Sequence, residues 1–187
     1  MYQINLNSIY KPIRFWLLLG IPFIVLFSSL LHFVYGWSGE LTLVGMFSPI
    51  NESVWEHQKL AFSSILIWWV ITYLILHKKI KISSTRWVSS LAVAEIICPL
   101  VVISIFYVLK DGFGIESLFW DIAALVIGVI LAQLVAFHTY RYGRCGQICF
   151  ILAVLFLIAM AVIFILFTFS PPHYPIFMDS ITGTYGI

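Results

Sequence analysis

Apolar residues along this chain come in five long runs, at 15–35, 60–76, 87–109, 118–140 and 148–169, with polar residues confined to the connectors and to a few isolated positions. Each run falls in the range of about 17–25 residues that lets a helix cross about 30 Å of hydrocarbon. Backbone at that depth must satisfy its own N–H and C=O groups, so the runs predict helices. The expected fold is all-α: a polytopic membrane protein with a single domain over 1–187, five transmembrane helices and a C-terminal tail at 170–187. The first run exceeds the apolar stretch of a cleavable signal peptide, and no small-residue cleavage pattern follows it. It is read as the first helix. No internal repeat is visible, which disfavours a transporter built from inverted repeats of this one chain.

Composition agrees with the pattern. Hydrophobic residues make up 62% of the 187 positions and charged residues only 10%, against about 25% charged in soluble domains. Ten Lys and Arg against eight Asp and Glu give a formal charge of +2, spread over short connectors. That balance suggests no nucleic-acid partner. Placement of the bases says more: Lys11 and Arg14 precede the first run, Lys78, Lys79, Lys81 and Arg86 join the second to the third, and Arg141 and Arg144 join the fourth to the fifth. Lys59 and Lys110 alone lie on the other side. The positive-inside rule then puts the N-terminus inside and the C-terminus outside. The outward connectors, 36–59 and 110–117, and the tail hold most of the acids and histidines. Cys98, Cys145 and Cys149 are too few for a disulfide framework and are read as reduced thiols.

The densest polar chemistry is SPINESVWEHQKL at 48–60. Ser48 before Pro49, or alternatively Asn51, reads as a helix N-cap. Glu52 and Glu56 would then favour the positive end of the helix dipole, and Lys59, three residues beyond Glu56, would pair with it on a solvated surface. The same spacing allows a functional set. Glu52 and Glu56 are four apart on one helical face, with Ser53 and His57 about 100° round. Two carboxylates and an imidazole suit a divalent cation, zinc foremost, or acid/base work.

Other groups join them by topology. His32 and Asp121 sit near the outer ends of the first and fourth helices, and His173 and Asp179 lie in the tail. Glu95 is deep in the third helix, where an acid is costly and should face the bundle. Pro99 removes the hydrogen bond that the Glu95 carbonyl would accept, which predicts a kink. Gln133 and His138 approach the inner end of the fourth helix. The tail, SPPHYPIFMDSITGTYGI, carries many apolar residues and one charged side chain. It is expected to fold back as a lid that brings His173 and Asp179 toward Glu56 and His57.

Three stretches, LLHFVYGWSG at 30–39, the 48–60 segment and the tail, together resemble a family of small bacterial integral membrane proteins of unknown function. The resemblance spans nearly the whole chain and implies a multi-pass protein of the bacterial cytoplasmic membrane, that is, a plasma membrane. The leading expectation is metal-assisted hydrolysis of a lipid or lipid-linked substrate. His32, His57 and His173, with Asp179, would be ligands, and Glu52, Glu56 or Asp121 would supply acid/base function. Two other expectations stand beside it: a small transporter or channel working through Glu95 and the Pro99 kink, and a non-catalytic membrane partner or sensor. Membrane lipids, a second copy of the chain or another membrane protein are the expected partners.

Overall fold

The computed structural model describes residues 6–144 and 146–187. Its elements are α1 (Leu6–Trp37), α2 (Thr42–Gly45), α3 (Val54–Leu76), α4 (Ser84–Tyr107), a π-helical turn (Val108–Gly112), α5 (Leu118–Tyr142), α6 (Gln147–Phe169) and a 3-10 turn (Pro175–Phe177). No strand occurs among the described residues; Met178 and Tyr185 form an isolated antiparallel bridge in the tail. Five of the helices are long and apolar enough to cross a membrane. They match the five runs, with ends displaced by up to nine residues.

The displacements have local causes. α1 starts well before residue 15 because Pro12 and Pro22 both lie inside a continuous helix. α3 begins at Val54 because Ser53, not Ser48 or Asn51, is its N-cap: the Ser53 hydroxyl accepts the Glu56 N–H at 3.2 Å. Asn51 instead accepts the Ser53 N–H at 3.0 Å, which tightens the turn before the cap. α4 runs through Pro99 and ends in the π-helical turn, which the pattern did not foretell.

Four helices close a ring in which α1 packs on α3, α3 on α4, α4 on α5, and α5 back on α1; α6 lies outside it against α4. Aromatic side chains fill the half of the ring nearer the basic connectors. Trp69 packs on Trp87 at a tilt of 53° (4.7 Å between centroids), Trp87 meets Tyr140 edge-on, and the Trp68 indole donates to the Trp16 carbonyl at 3.1 Å. Gly20 is what admits Trp68, since a Cβ there would overlap the indole. In a lipid environment such close packing, rather than burial from water, holds helices together. Cys98 is a free, buried thiol. Cys149 is disulfide-bonded, which corrects the expectation of reduced thiols at that position, and Cys145 lies outside the described residues.

The tail does fold back, clipped at several points. The Ile187 N–H donates to the Thr168 carbonyl at 3.0 Å, Phe177 packs on Trp55 and Phe167, and Ser180 Oγ donates to the Glu52 carbonyl at 3.2 Å.

Candidate metal centre

The cap at Ser53 decides which side chains meet at this end of the bundle. With α3 starting at Val54, His57 occupies its first full turn, and the Ser53 carbonyl accepts both the His57 N–H (3.2 Å) and His57 Nδ1–H (2.8 Å). A carbonyl only accepts, so Nδ1 carries a proton, and Nε2 is the atom left for other partners: protonated it donates, and deprotonated it offers a lone pair. That atom faces His32 Nε2, from the last turns of α1, at 3.2 Å. Glu52, just ahead of the cap, closes the triangle: Oε2 is 3.4 Å from His57 Nε2, and Oε1 is 3.6 Å from His32 Nε2.

This triangle has the dimensions of a metal site. A tetrahedral ion with bonds of about 2.0–2.1 Å holds its donors about 3.3 Å apart. The three groups are those among the described residues with donor atoms close enough to share an ion. His57 also has the supporting contact usual for a ligand, a second ring nitrogen fixed on a backbone carbonyl. The side chains remain accessible, 29% exposed at His32, 34% at His57 and 39% at Glu52. The hydrogen bond with His57, reinforced by both imidazoles and opposed by partial burial, holds the Glu52 carboxyl below its ordinary value.

Asp179 supports the triangle from outside. Its Oδ1 accepts the Glu52 N–H at 3.2 Å, so the backbone of Glu52 is gripped on both its N–H and, through Ser180, its C=O. Burial pushes the Asp179 carboxyl up, but hydrogen bonds from the Thr182 hydroxyl and from the backbone of Ile181, Glu52 and Thr182 bring it below the usual range. The lid thus delivers Asp179 to the backbone of Glu52, not to Glu56 or His57. His173, placed in the same lid, is exposed and stacks on Tyr185 at 4.5 Å.

Glu56 and Lys59 form a separate structure. The expectation of a solvated pair sharing a helix face with Glu52 is corrected, because both are buried (2% and 1% exposed) and Glu52 precedes the helix. Lys59 Nζ donates to Glu56 Oε2 (2.6 Å), the Gly45 carbonyl (2.9 Å) and Thr168 Oγ1 (2.6 Å), using all three of its donors. Glu56 Oε2 also accepts the Ile50 N–H at 3.1 Å. The pair ties α2, α3 and α6 together. Asp121, in the first turn of α5, is exposed. His138 rests on Tyr142.

Residues 4–187 match the model of the family of unknown function DUF6512. The chain belongs to that family. No curated protein and no solved structure matches it.

In this DUF6512 chain, sequence reasoning overlooked the S-x-x-E pattern Ser53-Val54-Trp55-Glu56, a helix-start signature. That pattern would have placed the cap and separated Glu52 from Glu56. An apolar lateral groove of about 320 Å³, lined by Leu31, Met46, Phe62, Leu66, Phe164 and Ile165 among others, opens beside the neighbour of His32.

Proposed function

We propose that His32, Glu52 and His57 bind one divalent metal ion, zinc best matching two imidazoles and a carboxylate, and that the protein uses it to hydrolyse a lipid or lipid-linked substrate at the outer leaflet of a bacterial cytoplasmic membrane. The observation that carries the reading is the 3.2 Å approach of two Nε2 atoms beside a carboxylate, with Nδ1 of one ring already committed to a carbonyl. Three protein donors leave a fourth position for water, whose pKa zinc lowers to about 7. Glu56 is tied to Lys59 and is not free to accept that water's proton; we assign that task to Asp121, an exposed carboxylate in the first turn of α5. Basic connectors gathered at the opposite end support an N-terminus inside and a C-terminus outside. The apolar groove beside Leu31 supports a substrate with an acyl chain.

Elemental mass spectrometry of detergent-purified protein tests the centre. Near-stoichiometric zinc in wild type, absent from folded His32→Ala and His57→Ala, is the expected result. Wild-type protein that neither carries nor rebinds zinc would overturn it. With metal present, release of headgroup from a panel of lipids, blocked by a chelator, tests the hydrolase reading separately.

A further inference from the structure

A second polar constellation lies far from the metal triangle, inside the four-helix ring. Glu95 on α4 and Gln133 on α5 are 3% and 1% exposed. Among the described residues, Glu95 Oε1 and both side-chain polar atoms of Gln133 have no hydrogen-bond partner. The helix register brings them together in depth. A Cβ on Gly128 of α5 would meet the Cys98 carbonyl of α4 at 3.1 Å, and nearer the basic end Trp87 meets Tyr140. Between those anchors, Glu95 is three residues from Cys98 and Gln133 five from Gly128, about 4.5 Å and 7.5 Å at 1.5 Å per residue.

The other half of the ring supplies polar groups at the same level. Trp69 of α3 packs on Trp87 of α4. Counting from that anchor, Ser64 and Glu95 differ in depth by about 4.5 Å, less than one turn. Ser64 and Ser28, both fully buried, are hydrogen-bonded across α1 and α3 at 2.9 Å. All four helices of the ring therefore contribute a buried polar side chain to one layer within about one turn of depth.

This layer lacks a balancing charge. Among the described residues, no base forms an ion pair with Glu95. Lys59, the buried base among the described residues, is fully engaged by Glu56, Gly45 and Thr168. A buried carboxyl without a charged partner keeps its proton, and an amide with neither end satisfied is costly. An alkali cation can take that proton's place, balancing the carboxylate and taking Gln133 Oε1 as a donor. One carboxylate neutralises one unit of charge, so a monovalent ion leaves the layer neutral, whereas a divalent ion leaves a net charge in a medium of low dielectric.

We propose that Glu95 and Gln133, with the Ser28–Ser64 pair at the same depth, form a binding site for a single alkali cation. The site is independent of the metal triangle and of any hydrolytic activity.

Thermal unfolding of the detergent-purified chain in sodium, potassium or choline chloride at equal ionic strength tests it. The expected result is a saturable rise in Tm with sodium or potassium and none with choline. That rise is lost in Glu95→Gln and Gln133→Leu and retained in Glu52→Gln. Equal Tm in all three salts, or a rise that survives Glu95→Gln, would overturn the site. Should the variants fail to fold, saturable binding of radiolabelled sodium or rubidium to wild-type protein decides the question, and no binding of either overturns the proposal.

Discussion

Glu52 and Glu56 stand four residues apart and have opposite surroundings. Glu52 is partly exposed, precedes α3 and turns its two oxygens toward two imidazoles. Glu56 is buried within the first turn and turns toward an ammonium group that is itself saturated with acceptors. Residue type and spacing are the same for both, so neither decides the outcome. What separates them is Ser53, which starts the helix between them. The first carboxylate is thereby left in a turn, free to join α1, while the second is directed into the packing of α2, α3 and α6. A carboxylate at a helix start is thus a site or a strut according to which side of the cap it falls on.

Exchanging the fates of the two acids gives the largest expected effect. Glu52→Gln should abolish stoichiometric zinc while leaving the thermal unfolding of the metal-free protein close to wild type. Glu56→Gln should keep zinc. The same elemental analysis checks both, and equal loss in the two variants would erase the distinction.

Stability should divide the opposite way. Glu56→Ala leaves Lys59 buried with its charge unmatched, a defect of about 3–5 kcal/mol, measurable as a lowered midpoint in detergent titration. Replacing both partners together, Glu56→Leu with Lys59→Met, should recover much of that loss, because the unmatched charge is gone. Failure of the double variant to recover would mean that the pair's hydrogen bonds to Gly45 and Thr168 matter more than its charge.

A smaller effect is expected at Asp179. Asp179→Asn weakens the grip on the Glu52 backbone without touching a donor atom, and contacts of that kind are worth about 10–100-fold in metal affinity. Competition with a chelator of known affinity measures it, and an unchanged constant would make the tail irrelevant to Glu52. The smallest effect is at the cap: Ser53→Ala should cost about 1 kcal/mol of stability, while the Ser53 carbonyl, and with it the orientation of His57, stays in place.

The five helices were legible because hydropathy at this length has few other meanings, and the runs located each one. The ends were less so. Pro12 marks the N-terminal part of α1 as irregular to a pattern reader, yet the helix absorbs it. The grouping of His32 with His57 followed from topology, since both sit at the same end of adjacent antiparallel helices. The dispersal of Glu56, Lys59 and His173 did not follow, because it depends on tertiary partners: Gly45 and Thr168 claim the lysine, and Tyr185 claims the histidine. Gln133 lies nearer the basic end of α5, as its place in the run implies; that Glu95 of α4 stands within one turn of that depth shows only in the register of the two helices. Depth along a helix can be counted from sequence. Which neighbour stands at that depth cannot.

The contact between Asp179 and Glu52 spans 127 positions of chain, and everything between them, including four membrane-crossing helices, is made and inserted first. The grip on Glu52 therefore forms only after those four helices are in place. A nascent chain can hold His32 and His57 in the bilayer long before Glu52 is pinned, and would take up metal loosely or not at all until the tail arrives. A chain cut just before Asp179 should thus insert normally yet hold zinc about 10–100-fold more weakly.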